Sequence, residues 1–181
     1  MRWTVHGERT IYASDWVNLT LVDVEQPDGR RFEHHAVRMH PVAAAVVLDD
    51  QDRVLLEWRH RFITGTWGWE IPTGIVDEGE TPAETAAREV EEETGWRPAA
   101  VTRLLSYEPN NGIADSRHHL FLARGAELVG EPTDKNESDR AEWVPLDRIG
   151  EFIERGELLD GPTLVGLLHV LAFARARPLA G

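Results

Sequence analysis

Between Glu78 and Trp96 the chain concentrates its acid: Glu89, Glu91, Glu92 and Glu93 fall within five residues, directly after Arg88. A helix over Pro82 to Thr94, at about 100° per residue, puts Ala83, Ala86, Ala87 and Val90 on one stripe. Thr85, Glu89, Glu92 and Glu93 then lie on the opposite side. Glu89 and Glu93 are one turn apart, where like charges are unfavourable. Acid at the C-terminal end also opposes the helix dipole. A divalent cation relieves both conflicts. Hard cations such as Mg2+ prefer carboxylate oxygens and keep open positions that phosphate oxygens can take. The chemistry suggested is therefore binding of a small phosphorylated molecule through a divalent cation.

A bare Glu-Glu-Glu run would read as a solvated acidic face, but the ends of this helix are specified too closely for that. Thr81 suits the N-cap, Pro82 the first helical position, and Glu84 completes a capping box. Gly95 suits a left-handed stop. Thirteen residues at 1.5 Å each give a rod of about 20 Å.

The full pattern is Gly74, five residues, Glu80, seven residues, Arg88-Glu89-Val90, one residue, Glu92-Glu93, one residue, Gly95-Trp96. It resembles the Nudix box at every defining position, over residues 74–96. The resemblance implies a Nudix fold: an α/β/α sandwich around a mixed β-sheet, with the box as loop, helix and loop. It implies metal ligation by Glu89, Glu92, Glu93 and the backbone carbonyl of Thr73, with Mg2+ as the ion and Mn2+ as the alternative. Arg88 would orient the catalytic carboxylates, with Glu92 and Glu93 among them. Gly74, Glu80 and Gly95 would be structural.

The similarity continues outside the box. Trp58-Arg59-His60, Trp69 to Gly74, Gly156-Glu157-Leu158, Asp160-Gly161 and Thr163-Leu164 resemble ADP-ribose pyrophosphatases and other nucleotide-sugar hydrolases. One departure stands out: Ser116 occupies the place of a Glu in the loop Asn111 to Ser116. A general base could be a box Glu or a later loop acid, and Glu137 is the leading loop candidate. Arg59 and Arg61 alternate onto one side of a strand and could pair with phosphates. Glu70 could bind metal or orient a ligand. Trp67 and Trp69 could stack on a base or pack in the core. His118 and His119 face opposite sides of a strand and receive no role.

These residues need elements to place them. Asp15 to Val24 and Phe32 to Arg38 read as an antiparallel pair around the turn Gln26-Pro27-Asp28-Gly29. Val42 to Leu48 is continuously apolar, a strand buried on both faces, and Asp49 to Asp52 turns it into Val54 to Arg59 as a hairpin. Thr64 to Trp69, rich in Gly and Trp, reads as a loop, and Pro72 argues against a central strand around it. Further strands are expected at Ala100 to Tyr107, His118 to Arg124 and Ala141 to Val144. Helices are expected at Leu146 to Arg155 and Pro162 to Arg175. The organisation expected is N-terminal strands over 1–40, a dimerisation element, followed by a Nudix domain over 41–181.

Bulk properties narrow the function further. A net charge of −13 disfavours binding to a nucleic-acid backbone. Zero Cys removes thiolate chemistry and disulfides and fits a reducing compartment. The most apolar tract, Leu164 to Ala174, is too short for a bilayer. The expectation is a cytoplasmic protein that binds neither membrane nor nucleic acid, and the family resemblance implies a homodimer. Its substrate would be a nucleoside diphosphate linked to another group, ADP-ribose or a nucleotide sugar. Hydrolysis of oxidised nucleoside triphosphates and a non-catalytic sensing module are the alternatives.

Overall fold

A computed structural model describes residues 1–134 and 136–174. They form two compact units, Met1–Pro41 with Tyr107–Arg117, and Val42–Ser106 with the chain from His118 onward. In the first unit, β1 (Thr4–Ala13), β2 (Val17–Glu25) and β3 (Arg31–Met39) make an antiparallel sheet, to which β10 (Ala114–Asp115) adds in parallel beside β3. The expected strand pair is therefore joined by β1, which the sequence reading missed. Every residue of β1 is exposed, so the strand lacks the one-sided apolar pattern that marks a half-buried strand.

The second unit is built on β4 (Val42–Leu48), whose residues are almost all fully buried. It pairs in parallel with β11 (His118–Arg124) along its whole length, and β9 (Val101–Tyr107) lies beyond β11. Side chains alternate across β4. Ala43, Ala45 and Val47 pack with Leu55, Phe121 and the helix residues Ala86 and Val90. The opposite face meets α3 (Gly161–His169), where a Cβ on Gly166 would come within 2.9 Å of Val46 Cγ2. The unit is thus the expected α/β/α sandwich, with α1 (Pro82–Thr94) on one face and α3 on the other.

The hairpin between β4 and β5 (Arg53–Arg61) is closed only at its tip, Leu48 opposite Val54. The strands then diverge, and the following segment fills the gap. β6 (Thr66–Glu70) pairs with β5, and β7 (Thr73–Ile75) pairs with β4. Ile71-Pro72 is the break between them, with the Pro72 carbonyl accepting from Ala45 N. The sequence reading had Thr64 to Trp69 as a loop. The register along β5 overrides the Gly and Trp composition there, because five consecutive pairs from Arg61↔Thr66 to Glu57↔Glu70 satisfy the backbone. β13 (Arg140–Pro145) closes the other edge of β5. Near the C-terminus, a 3-10 turn at Leu146–Arg148 leads into α2 (Ile149–Glu154), and α3 passes into a π-helical turn, Val170–Ala174. Arg175, the expected end of the last helix, lies outside the described residues.

The ends of α1 follow the sequence signals. Thr81 Oγ1 accepts from Glu84 N, and the Glu84 carboxylate accepts from Thr81 N at 2.8 Å. Gly95 stops the helix at φ 74°, with its N–H on the Glu91 carbonyl. The burial of the helix differs from the simple two-sided picture. Thr85 and Glu93, expected on the outward side, are fully or almost fully buried. The loop before the helix is clasped to it: Glu80 accepts from Arg88 Nε at 2.9 Å and from Thr85 Oγ1 at 2.7 Å. No helix among the described residues is long and apolar enough to cross a membrane.

Two outcomes test these supports. A Cβ on Gly95 would meet the Gly130 carbonyl oxygen at 2.2 Å in a left-handed backbone. Gly95→Ala should therefore lose more than about 2 kcal/mol by chemical denaturation, since the backbone conformation alone costs about 1–2 kcal/mol. An unchanged midpoint would show that the stop is not needed. The Arg88 guanidinium, helped by the Thr85 hydroxyl, holds the Glu80 carboxyl at about 2, below the usual 4.5. Its contribution is complete above pH 4.5 and disappears as the pH falls toward 2. The gap in Tm between wild type and Glu80→Gln should be open at neutral pH and close over that window.

Candidate active site

The box helix presents its acids to two different arginines. On the outer side, Arg88 Nη1 donates to Glu89 Oε1 at 2.7 Å and to Glu92 Oε2 at 2.8 Å, while its Nε and Nη2 hold Glu80. On the inner side, Glu93 is 2% exposed and its carboxylate faces inward. Its Oε1 accepts from Arg59 Nη1 at 2.5 Å and its Oε2 from the Thr73 backbone N–H at 3.0 Å. Gly74 leaves room for Glu89, because a Cβ there would lie 2.0 Å from Glu89 Oε1. Glu89 and Glu93 therefore flank the Thr73-Gly74 backbone from two sides. A side chain at Gly74 would therefore displace the Glu89 carboxylate.

Arg59 reaches further. It also pairs with Glu137, whose loop is carried to the site by the helix itself. The Glu92 carbonyl, left free at the C-terminal end of α1, accepts from Thr133 N at 2.9 Å and from Asp134 N at 3.1 Å. Asp139 N then donates to the Trp58 carbonyl, so the segment is tied at both ends of Glu137. One strand side, Leu55, Glu57, Arg59 and Arg61, supplies the inner face of the site. Arg61 pairs with the buried Glu70 through Nε at 2.9 Å.

Electrostatics follows this crowding. Burial would depress the Arg59 guanidinium, but Glu93, Glu57 and Glu137 together hold it above its ordinary value. Burial raises Glu89, with Arg88 opposing. Burial and the neighbouring Glu57 carboxyl push Glu93 up against the pull of Arg59. Glu57 was missed in the sequence. It is fully buried on β5, and among the described residues neither carboxylate oxygen has a hydrogen-bond partner. Its signal was one acid inside the otherwise apolar run Val54 to Trp58.

The predicted residues fall into two clusters carried by the same helix: Arg88 with Glu89 and Glu92, and Arg59 with Glu93, Glu137 and the Thr73 amide. Arg61 and Glu70 line a cleft of about 450 Å3, together with Ile63, Trp67 and Asp160. Trp67 is half-exposed and stacks on Trp58, whereas Trp69 is core, stacked on Phe152. Ser116 belongs to the N-terminal unit, where its hydroxyl donates to the His40 carbonyl. His119 meets the Ser106 hydroxyl at 2.8 Å. A larger cavity of about 600 Å3, beside Trp96 and Trp143, contains none of the predicted site residues.

Among the described residues no three acidic or imidazole side chains already converge as a metal cage. In these clusters Arg88 and Arg59 serve as the counterions. The donor set nevertheless fits a hard divalent cation: it is all oxygen, from three box carboxylates beside a backbone turn.

The NUDIX domain family model matches residues 38–163. A CMP-5'-(N-acetyl-N-hydroxy-3-aminopropyl)phosphonate hydrolase from Streptomyces rubellomurinus is 47% identical over 181 residues, covering 100% of this chain and 88% of that protein. An ADP-ribose pyrophosphatase from Mycobacterium tuberculosis is 31% identical over 183 residues, covering 97% and 88%. A crystal structure described as an ADP compounds hydrolase superposes with a TM-score of 0.84 at 20% identity, covering 97% of this chain and 96% of that one, and so shares the fold. With the box network in place and relatives of this kind over its whole length, the chain belongs to the Nudix family and is a pyrophosphohydrolase of the ADP-ribose pyrophosphatase type.

Proposed function

We propose that this enzyme uses Mg2+ to hydrolyse the anhydride joining a nucleoside 5'-phosphate to a second phosphorus group. The observation that carries the reading is the seating of Glu89 against Gly74 and of Glu93 on the Thr73 amide, with Arg59 joining Glu93 to Glu137. A bound divalent cation would neutralise the diphosphate and make a water more acidic. Glu89, Glu92, Glu93 and the Thr73 carbonyl are the groups to hold it. Arg59 and Arg61 offer guanidinium forks to the phosphorus oxygens. Glu137, 45% exposed, can accept the proton of the attacking water. Water oxygen bonds to one phosphorus, the bridging P–O bond breaks, and the nucleoside monophosphate leaves from the other half.

ADP-ribose and nucleotide sugars fit this class, as the mycobacterial relative's name supports. A cytidine nucleotide joined to a phosphonate fits it equally, and the 47% relative's name favours that variant. The two share the charged linkage that the box would grip. Discrimination would fall to the cleft beyond Arg61, where Ile63 and Trp67 offer apolar surface. The reading includes a homodimer through the N-terminal strands, supported by Trp3, Val5, Ile11 and Tyr12 exposed along β1 and just before it.

The decisive measurement is hydrolysis of ADP-ribose, a nucleotide sugar, a CMP-phosphonate anhydride and an oxidised nucleoside triphosphate, with Mg2+ and with a chelator. Turnover of one of the first three that stops on chelation supports the reading. Turnover of the triphosphate alone overturns its substrate class. Glu93→Gln should lose about 100-fold or more in kcat, since even outer partners of a metal cost 10–100-fold, with the circular dichroism spectrum unchanged. Near-normal turnover would remove Glu93 from the ligand set. Sedimentation should give twice the 20.4 kDa chain mass, and a monomer at micromolar concentration would refute the dimer.

A further inference from the structure

Glu57 has a distinctive environment. It sits on β5 two residues before Arg59, on the same face, with Glu70 as its cross-strand neighbour. It is fully buried, and both carboxylate oxygens lack a partner among the described residues. Glu93 and Ser138 are near enough to influence it, but neither meets hydrogen-bond geometry. Buried polar groups are almost always satisfied, and an unsatisfied one calls for a specific explanation.

Among the described residues, the nearby cations do not supply that explanation. Arg59, the nearest guanidinium, places its Nη1 on Glu93 and its Nη2 on Glu137. Arg61 is committed to Glu70. The backbone around Glu57 is used in the ladders with β6 and β13. The acceptor pair is therefore available to something that the fold does not itself provide.

Glu93 indicates what that is. Its carboxylate turns inward to Arg59 and the Thr73 amide, away from the Glu89 and Glu92 carboxylates that meet Arg88. The side of Glu93 that meets Arg59 is the side that faces β5, and there its carboxyl lies close enough to that of Glu57 for each to act on the other.

We propose that Glu57 is a direct ligand of the divalent cation held by Glu93, an inner carboxylate outside the box pattern. The proposal rests on the reading that Glu93 binds the cation. It explains why an acid without a hydrogen-bond donor among the described residues is retained in the interior of a strand that otherwise packs Val54, Leu55 and Leu56. An oxygen-only pair from a strand and a helix is a donor set suited to Mg2+ or Mn2+.

Mn2+ binding without substrate, followed by electron paramagnetic resonance, tests this on the intact protein. Glu57→Gln, which keeps shape and removes charge, should weaken Mn2+ binding about tenfold or more. It should also shrink the rise in Tm that the metal gives wild type, while the metal-free variant is at least as stable as wild type. Wild-type affinity in the variant would overturn the proposal. A second measurement needs no variant. In Mn2+-soaked wild-type crystals, anomalous scattering should place the ion about 2.1 Å from a Glu57 oxygen. An ion on Glu93 with Glu57 out of reach would refute the role of Glu57 and leave the catalytic reading standing. An ion bound at neither residue would remove both.

Discussion

The structure is organised around the containment of like charge. Six glutamates, namely Glu57, Glu70, Glu89, Glu92, Glu93 and Glu137, are brought together by one helix end, two strands and a loop, and four of them pair with Arg59 or Arg88. Two unit charges 4 Å apart interact by about 4 kcal/mol at the effective dielectric of a protein surface. Whole domains are stable by only about 5–15 kcal/mol. A few uncompensated pairs would therefore be enough to unfold the domain. Arg59, Arg61 and Arg88 prevent this, and the first and last each serve more than one acid. β5 delivers two of the three because its period of two sends Arg59 and Arg61 to the same face.

The same economy governs the loop that carries Glu137. A helix must leave its last carbonyls without intrahelical donors. Here the Glu92 and Gly95 carbonyls are satisfied by Thr133, Asp134 and Val129. The unsatisfied end of the acidic helix thus becomes the anchor for the next acid. Gly95 is central to this arrangement, because its stop brings the chain within contact of the Gly130 backbone. The backbone geometry that ends the helix and the placing of Glu137 beside Arg59 are coupled in one turn.

What could be read from the sequence was governed by local rules. The capping box, the Pro at the helix start, the Gly stop and the apolar run of β4 each act within a few residues, and each appears where expected. The charge spacing of the box is local too, so the sequence already sets its carboxylates and Arg88 side by side on one helix. What escaped depends on contacts far apart in the chain. β6 is a strand because β5 offers it a ladder, despite its Gly and Trp. Thr85 and Glu93 are buried because the loop and β5 cover that side of the helix, which a helical wheel does not encode. Glu57 escaped for both reasons. It lies outside the box, and its isolation is visible only once Arg59 is seen bonded to other acids. The pairing of Arg59 with Glu137, 78 residues apart, is equally non-local.

The two main arginines differ in what they do for the site, although both are counterions. Arg88 binds Glu80 with one edge of its guanidinium and Glu89 and Glu92 with another. It therefore fixes the loop before the helix to the helix itself, and the outer carboxylates take their orientation from it. Arg59 binds one acid with each terminal nitrogen and so spans from the helix to the loop of Glu137. A lysine could supply the charge in either place but not the planar fork that sets two acids at a fixed angle. The acids are thus held in position by the same groups that neutralise them, and the arrangement exists before any ligand arrives. Glu57 differs from these acids: Arg59 acts on its charge, but no described residue donates a hydrogen bond to its carboxylate.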